Sequence, residues 1–415
     1  MSAPPSSPTP PTTAALPAVD HPDREPLVEH DGILTGFLPA PTVQCHAANL
    51  ARLPTGDLAC TWFGGTQEGV ADIDVWLSRL TPGTGTWSPP EKLSDDPRRS
   101  EQNPILWTTP SGEVWLLHTA QTAGDQDTAF VRLRVSTDGG VGFGPARTLF
   151  PADERGGVFV RQPPVVTASG RWLVPVFRCP VAPGARWRGD DDDSVVMVSE
   201  DEGASWSTIE VPDSRGMVHM NVVGRPDGSL VAFYRSRWAD AVHRSESFDE
   251  GRSWSVPMAT GVPNNNSSIQ VSPAADGTLL LVHNPVRATP GSPRRESLYD
   301  EIDEFGVAEG ERPGPPAPVA ADDDRPRAVW GTPRAPMRLS ASTDAGRTWP
   351  VELDLEVGDG NCLTNDSRAG ANHELSYPSV LVESAPDGSG VAHVAWTWHR
   401  RAIRYARVPL SRLRS

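Results

Sequence analysis

The sequence predicts an all-β protein, a six-bladed β-propeller, on three observations: a repeated turn phrase, a composition weighted toward turns, and apolar runs of strand length between them. The phrase is Ser-x-Asp-x-Gly-x-Ser/Thr-Trp. It stands at 199–206, 247–254 and 342–349, recurs at 136–143 with Phe143 in place of the tryptophan, and leaves a worn remnant ending at Trp87. Fourteen Trp against 4 Tyr, with 37 Gly and 43 Pro in 415 residues, fit many short strands joined by tight turns rather than helices.

The phrase is a hairpin turn. Ser247 and Asp249 can bond the turn's own backbone, Gly251 takes the positive φ that closes it, and Trp254 packs where the next strand begins. Between the turns lie strand-length apolar or alternating runs at 58–63, 73–77, 114–118, 131–135, 172–177, 195–198, 230–234, 279–282 and 393–398. A second turn signal precedes many of them, at 54–57, 111–112, 226–228, 276–277 and 386–388. Each unit thus reads as about four strands, the blade of a propeller. The units fall at approximately 41–90, 101–145, 160–210, 217–257, 264–350 and 373–408. The fifth is too long, and its excess at about 287–330, rich in Pro, Arg and Asp, predicts a surface excursion over the cleft. Seven blades are the alternative if that excursion hides strands. Residues 1–23, rich in Pro, Ser and Thr, predict a disordered tail, leaving 24–415 as a single propeller domain.

Composition narrows the partners. A formal charge of −16 opposes a nucleic-acid partner but leaves room for a locally basic cleft that takes a small acidic substrate. No segment has the length and apolarity of a membrane span, and the N-terminus lacks the basic and apolar regions of a signal peptide, so a cytoplasmic protein without a membrane partner is expected. Cys45, Cys60, Cys179 and Cys362 lie far apart without metal-ligand spacing and are expected as reduced thiols. No cofactor is expected. The acidic run 190–193 reads as a solvated turn, with a structural calcium loop as the alternative.

From about residue 41 to 407 the sequence resembles the sialidase (neuraminidase) superfamily in its bacterial BNR-repeat branch, whose Asp-box is the turn phrase above. The stretches 62–68, 102–104, 264–268, 374–378 and 397–401 are similar too. The resemblance implies a six-bladed propeller with substrate at one end of the central axis. It also implies three arginines on the substrate carboxylate, a Tyr–Glu pair as nucleophile and base, and an Asp as acid/base. Arg334 matches the third arginine, Arg235 and Arg237 are two candidates for the second, and Tyr377 matches the nucleophile. The first arginine's phrase is replaced by Gln44-Cys-His46, and the acid/base loop is altered to 65–72, which carries Glu68.

Arginine suits a carboxylate because its planar fork donates paired charged hydrogen bonds. Arg161, Arg235, Arg237 and Arg334 are the candidate substrate-binding residues. Tyr377 is the candidate nucleophile, with Glu374 or Glu68 as acid or base; His46, His118 and His219, at the starts or ends of strands, suit proton transfer near neutral pH. The expected function is an exo-acting glycoside hydrolase of sialidase type that removes a terminal acidic sugar from a glycan or oligosaccharide. One alternative is a polysaccharide lyase or rhamnosidase-like propeller acting at a uronic-acid linkage, which the histidine at the missing arginine favours. The other is a non-catalytic glycan-binding propeller.

Overall fold

A computed structural model describes residues 26–182, 185–291, 294–295, 298, 301–303, 306–307 and 325–413; the expected tail at 1–23 lies outside them. Six antiparallel sheets stand in a ring as the blades of a propeller. Each blade runs outward from an innermost strand at the axis. The innermost strands are Gln44–Arg52, Ser100–Thr108, Gly157–Val160, Met217–Gly224, Gln270–Pro273 and Leu375–Ser384 for blades 1 to 6. The only helix among the described residues is the 3-10 turn Leu410–Leu413, so none of them is long and apolar enough to cross a membrane.

The unit at 373–408 supplies only three strands of blade 6. The sheet is completed by Ile33–Phe37 and Val28–His30 from the opposite end of the chain, with Leu34 opposite Arg407 and Phe37 opposite Arg404. This pairing closes the ring. The excursion contributes a pair of two-residue strands, Ile302–Asp303 with Gly306–Val307, that joins no blade, which leaves six blades and not seven among the described residues. The core is divided to match. Apolar clusters fill the seams between neighbouring blades, for example Trp115 and Trp172 between blades 2 and 3, and Leu173 and Tyr234 between blades 3 and 4.

The turn phrase sits between the third and fourth strands of blades 2 to 5, at the outer rim. In each copy the serine hydroxyl donates to the aspartate and accepts from the glycine N–H: Ser247 Oγ lies 2.9 Å from Asp249 Oδ1 and 2.8 Å from Gly251 N. Asp249 also accepts from Ser253 N at 2.9 Å and Ser253 Oγ at 2.6 Å. The glycine has a second task. A Cβ on Gly251 would stand 2.8 Å from Leu173 of blade 3, and one on Gly346 would stand 2.3 Å from Phe233 of blade 4, so each box presses against the preceding blade. Gly251→Ala is therefore expected to lose about 2–4 kcal/mol, the sum of left-handed backbone strain and overpacking. Gly277, at φ +87° with nothing within 4 Å of its Cβ site, isolates the backbone part. Gly277→Ala should cost only about 1–2 kcal/mol, and urea midpoints of the two variants measure the difference.

Near the axis, side chains stitch adjacent blades together. Asn49 Oδ1 accepts from Leu106 N (3.1 Å), Thr119 Oγ1 from Val160 N (3.2 Å), Gln270 Oε1 from Val380 N (2.6 Å), and Ser379 Oγ from Leu50 N (2.9 Å). Four of the innermost strands also share one irregularity. The register slips between His46 and Asn49, Gln102 and Ile105, Val218 and Asn221, and Ser376 and Ser379. Each slip holds a residue at positive φ: Ala47 (62°), Asn103 (51°), His219 (54°) and Tyr377 (47°). Such bulges re-aim side chains and store strain where a site is built.

Candidate active site

The bulged ends of the strands bring Tyr377, His46 and His219 together at one end of the axis. The His46 ring centroid lies 4.3 Å from that of Tyr377, and the His219 centroid lies 5.7 Å away on another side. Three guanidinium groups surround the same phenol ring, those of Arg161 and Arg235 at 5.4 Å and that of Arg334 at 5.7 Å from its centre. Arg161 directly follows the innermost strand of blade 3, Arg235 ends the second strand of blade 4, and Arg334 precedes the third strand of blade 5. Sequence-distant blades thus meet on one aromatic ring.

Each guanidinium is fixed yet keeps an N–H to spare. Arg161 donates to Ser268 Oγ (3.2 Å) and to the carbonyls of Ala48 and Tyr377 (both 3.1 Å). Arg235 donates to Asn266 Oδ1 (2.8 Å) and to Tyr377 Oη (2.6 Å). Arg334 donates to Glu374 Oε1 (3.1 Å) and reaches Asn266 O (3.4 Å). Arg161 Nη1, Arg235 Nη2 and Arg334 Nε are buried without a hydrogen-bond partner, as are both ring nitrogens of His46, whose Nδ1 lies 3.8 Å from Glu374 Oε1. Burial pulls Arg161 down to about 10 and Arg235 to about 9, which leaves both cationic at neutral pH. Arg334 is raised, because the attraction of Glu374 outweighs its burial. Burial first, then Arg400, holds His46 well below the usual imidazole range and hence neutral.

Glu374 is buried and already saturated. It accepts from Arg334, from Arg400 Nε (3.1 Å), from Asn372 Nδ2 (3.1 Å) and from Ser376 Oγ. Burial would raise its pKa, but Arg400 and Arg334 outweigh that and hold it well below the carboxylate range. A carboxylate so held orients arginines and has no proton to give. Arg400 also binds Glu68, whose N–H donates to Gln44 Oε1. A chain of charge, Arg334–Glu374–Arg400–Glu68, therefore links blades 5, 6 and 1 beside the tyrosine. Arg400 escaped the sequence reading. It and His399 sit at φ 55° and 52° in a hairpin turn where Gly or Asn is usual, and that strain is the signal it leaves.

Two sequence candidates lie elsewhere. His118 Nε2 meets Glu101 (3.0 Å), which also takes Arg132 (2.7 Å), in the seam between blades 1 and 2. Arg237 grips Asp192 through Nε (2.9 Å) and Nη2 (2.6 Å), and Trp187 Nε1 donates to the other carboxylate oxygen (2.9 Å). Within the acidic run Asp191 is exposed, as a solvated turn requires, but Asp192 is fully buried and neutralises Arg237. No group of three or more His, Cys, Asp or Glu among the described residues is placed to hold a metal ion. The four cysteines are buried and unpaired.

Described residues of the excursion lie over this end of the axis. Val329 N donates to Arg237 O (2.8 Å) and Asn266 Nδ2 to Val329 O (2.9 Å), while the Trp330 ring lies 5.7 Å from the Arg235 guanidinium. Nearby, Glu301 accepts from Asn365 N (2.8 Å) and Gln67 Nε2 (3.3 Å). With this cover in place Arg161, Arg235, Arg334 and Tyr377 are all buried.

Residues 56–394 match the family model described as the BNR repeat-like domain. No curated protein matches the sequence. Among solved structures the chain is similar to a Hadza microbial sialidase (14% identity, TM-score 0.62, covering 90% of this chain and 67% of that one). It is also similar to a protein of unknown function from Dyadobacter fermentans (15%, 0.62, covering 92% and 100%). A third likeness is to the intramolecular trans-sialidase of Ruminococcus gnavus (13%, 0.59, covering 92% and 98%). At these identities the likeness is one of fold. The chain belongs to the family of the BNR repeat-like domain and is built as a six-bladed propeller.

Proposed function

We propose that this protein is a carbohydrate-active enzyme, an exo-acting glycoside hydrolase of sialidase type that takes a terminal acidic sugar at the axis. One observation carries the reading. Three buried cationic N–H groups, Arg161 Nη1, Arg235 Nη2 and Arg334 Nε, lack partners around a single tyrosine. Buried polar groups in a folded protein are nearly always bonded, so an unpaired set of one sign marks the place of a ligand of the other. A sugar carboxylate supplies the charge and the lone pairs.

With the carboxylate in the clamp, Tyr377 Oη is the nucleophile for the anomeric carbon, and the Arg235 N–H 2.6 Å away meets the negative charge that develops on the phenol oxygen. Glu68, on the altered first-blade loop, is the carboxyl that serves the leaving oxygen. It must leave Arg400 to do so. Glu374 acts by positioning Arg334 and Arg400. Where the family pattern has its first arginine, His46 stands neutral against the phenol ring.

The two histidines beside Tyr377 favour a second reading, elimination at a uronic acid. There an arginine neutralises the uronate and a neutral imidazole or the phenol takes the proton α to the carboxylate. One experiment separates the two. The protein is incubated with fluorogenic sialosides and with uronate-containing oligosaccharides. Released fluorophore without new ultraviolet absorbance is the expected result, and Tyr377→Phe should lower kcat at least about 10³-fold, the scale of losing a covalent nucleophile. Absorbance from an unsaturated uronate would install the lyase, and binding without turnover on either panel would leave a glycan-binding propeller.

A further inference from the structure

We propose that His219 is the proton acceptor for Tyr377, and that the substrate's own carboxylate switches it on. The proposal rests on the acidic-sugar reading of the site and adds a catalytic residue and a reason for substrate selectivity.

Hydrogen bonding fixes the tautomer. His219 Nδ1 lies 3.0 Å from Ser268 Oγ, which also receives the Nε–H of Arg161 at 3.2 Å. The other ring nitrogen, Nε2, lies 3.4 Å from Arg235 Nη1, and a guanidinium only donates. The consistent assignment puts the proton on Nδ1, where a hydroxyl oxygen with two lone pairs accepts from both His219 and Arg161. Nε2 then carries the basic lone pair. Arg235 Nη1 is the same nitrogen that stands 2.6 Å from Tyr377 Oη. One guanidinium nitrogen is thus shared between a phenol oxygen and an imidazole lone pair. Both His219 and Tyr377 are held at positive φ on bulged strands, and their rings meet edge to face.

Among these cations His219 is a weak base. Burial is the largest cause, followed by the charges of Arg235, Arg237, Arg161 and Arg334, and together they hold it well below the imidazole range. Its remaining neighbours, Phe177 and Tyr377, are uncharged rings. The nearby carboxylates are committed, Asp192 to Arg237 and Glu374 to Arg334. A carboxylate bound by the spare N–H groups of Arg161, Arg235 and Arg334 places a negative charge among the cations that suppress His219. Its proton affinity rises, while the ligand takes the spare Arg235 Nη2 and leaves Nη1 on the phenol. Tyr377 Oη then passes its proton to His219 Nε2 as the Oη–carbon bond forms and the glycosidic bond breaks, the leaving oxygen taking a proton from the acid. In the second half water attacks the anomeric carbon and returns a proton to that acid. The Oη–carbon bond breaks, and His219 gives its proton back to the phenolate. The sum is addition of water across the glycosidic bond. A neutral or esterified sugar of the same shape lacks the switch.

The test combines a spectrum with kinetics. Imidazole nitrogens of histidine-labelled full-length protein are followed by NMR, with His219→Gln identifying the His219 signals. The expected spectrum shows a protonated Nδ1 and a bare Nε2, unchanged between about pH 5 and pH 8. Saturating N-acetylneuraminate or glucuronate should move the titration of His219 upward, and the methyl esters should not. In turnover, His219→Gln should lower kcat about 10²–10⁴-fold with little change in KM, and Ser268→Ala should lower it less while adding the second tautomer to the spectrum. A protonated Nε2 in the empty site, no response to either acid, or undiminished kcat in His219→Gln overturns the proposal. If wild type turns over no acidic sugar while the acids still shift His219, the hydrolase reading fails and the switch stands.

Discussion

Replacing Glu374 by Gln is expected to destabilise the protein by about 3–5 kcal/mol, the cost of breaking a buried ion pair from one side. The side chain is fully buried and accepts from two arginines, an amide and a hydroxyl. Glutamine keeps the shape but removes the charge, and its amide N–H would face a guanidinium N–H. The same residue gives the wild type an acid-sensitive component. Its folded pKa is depressed from the usual 4.5, so the stability it contributes is full above that value and is lost as pH falls through the lower folded pKa. The variant lacks this component, and its stability should fall less steeply below about pH 4. Denaturant unfolding at neutral and acid pH measures both effects. A double variant that also carries Arg400→Met should be less destabilised than the two single losses summed, because the second change removes a cation that the first left with one carboxylate instead of two. A Glu374→Gln protein as stable as wild type, with only its turnover reduced, would make Glu374 a proton donor and not a positioning residue.

The fold was readable because its signal is local. Ser247, Asp249 and Gly251 bond to one another within one turn, so four copies of the phrase carry the blade boundaries without any tertiary information. The closing pair of strands was not readable. Val28–His30 and Ile33–Phe37 carry no box, and what identifies them is a partner strand at the far end of the chain, Ala402–Pro409. The same distinction divides the site. Arg235, Arg334 and Tyr377 were named from the family resemblance and Arg161, His46 and Glu374 from their places in the chain, and the structure brings all six together. What each one does was set by partners that sequence spacing cannot reveal. Glu374 looks like an acid until Arg334 and Arg400 are seen on it. Arg237 looks like a second clamp arginine, two residues from Arg235 in the chain, until Asp192 arrives from blade 3. Positive φ at Tyr377 left no trace either, since tyrosine does not favour that conformation.

Arg237 provides the other large effect. Its guanidinium lies 5.0 Å from the ring of Trp330, 5.5 Å from Trp187 and 5.8 Å from Phe177, and its charge is met by Asp192 within that aromatic box. Its carbonyl oxygen also receives the N–H of Val329. The residue therefore secures the return of the excursion over the site while Arg235, on the same strand end, faces Tyr377. Arg237→Met is expected to cost about 3–5 kcal/mol because Asp192 is left buried and unpaired, and Asp192→Asn a similar amount. The pair Arg237→Met with Asp192→Leu should recover much of that loss, since well-packed apolar residues replace a buried ion pair at little cost. Loss of the pair also unfastens Trp330, so both single variants should be cut faster by protease between residues 287 and 330 than wild type at equal temperature. The alternative makes the opposite forecast. Were Arg237 the second arginine of the clamp, Arg237→Met would leave the unfolding midpoint and the cleavage pattern alone and raise only KM for the acidic sugar. Two carboxylates would then compete for one guanidinium, and the buried one, already bound through two nitrogens, would have to be displaced by substrate at each turnover. Arg235 carries no such competitor, and its spare Nη2 makes it the stronger clamp candidate of the two.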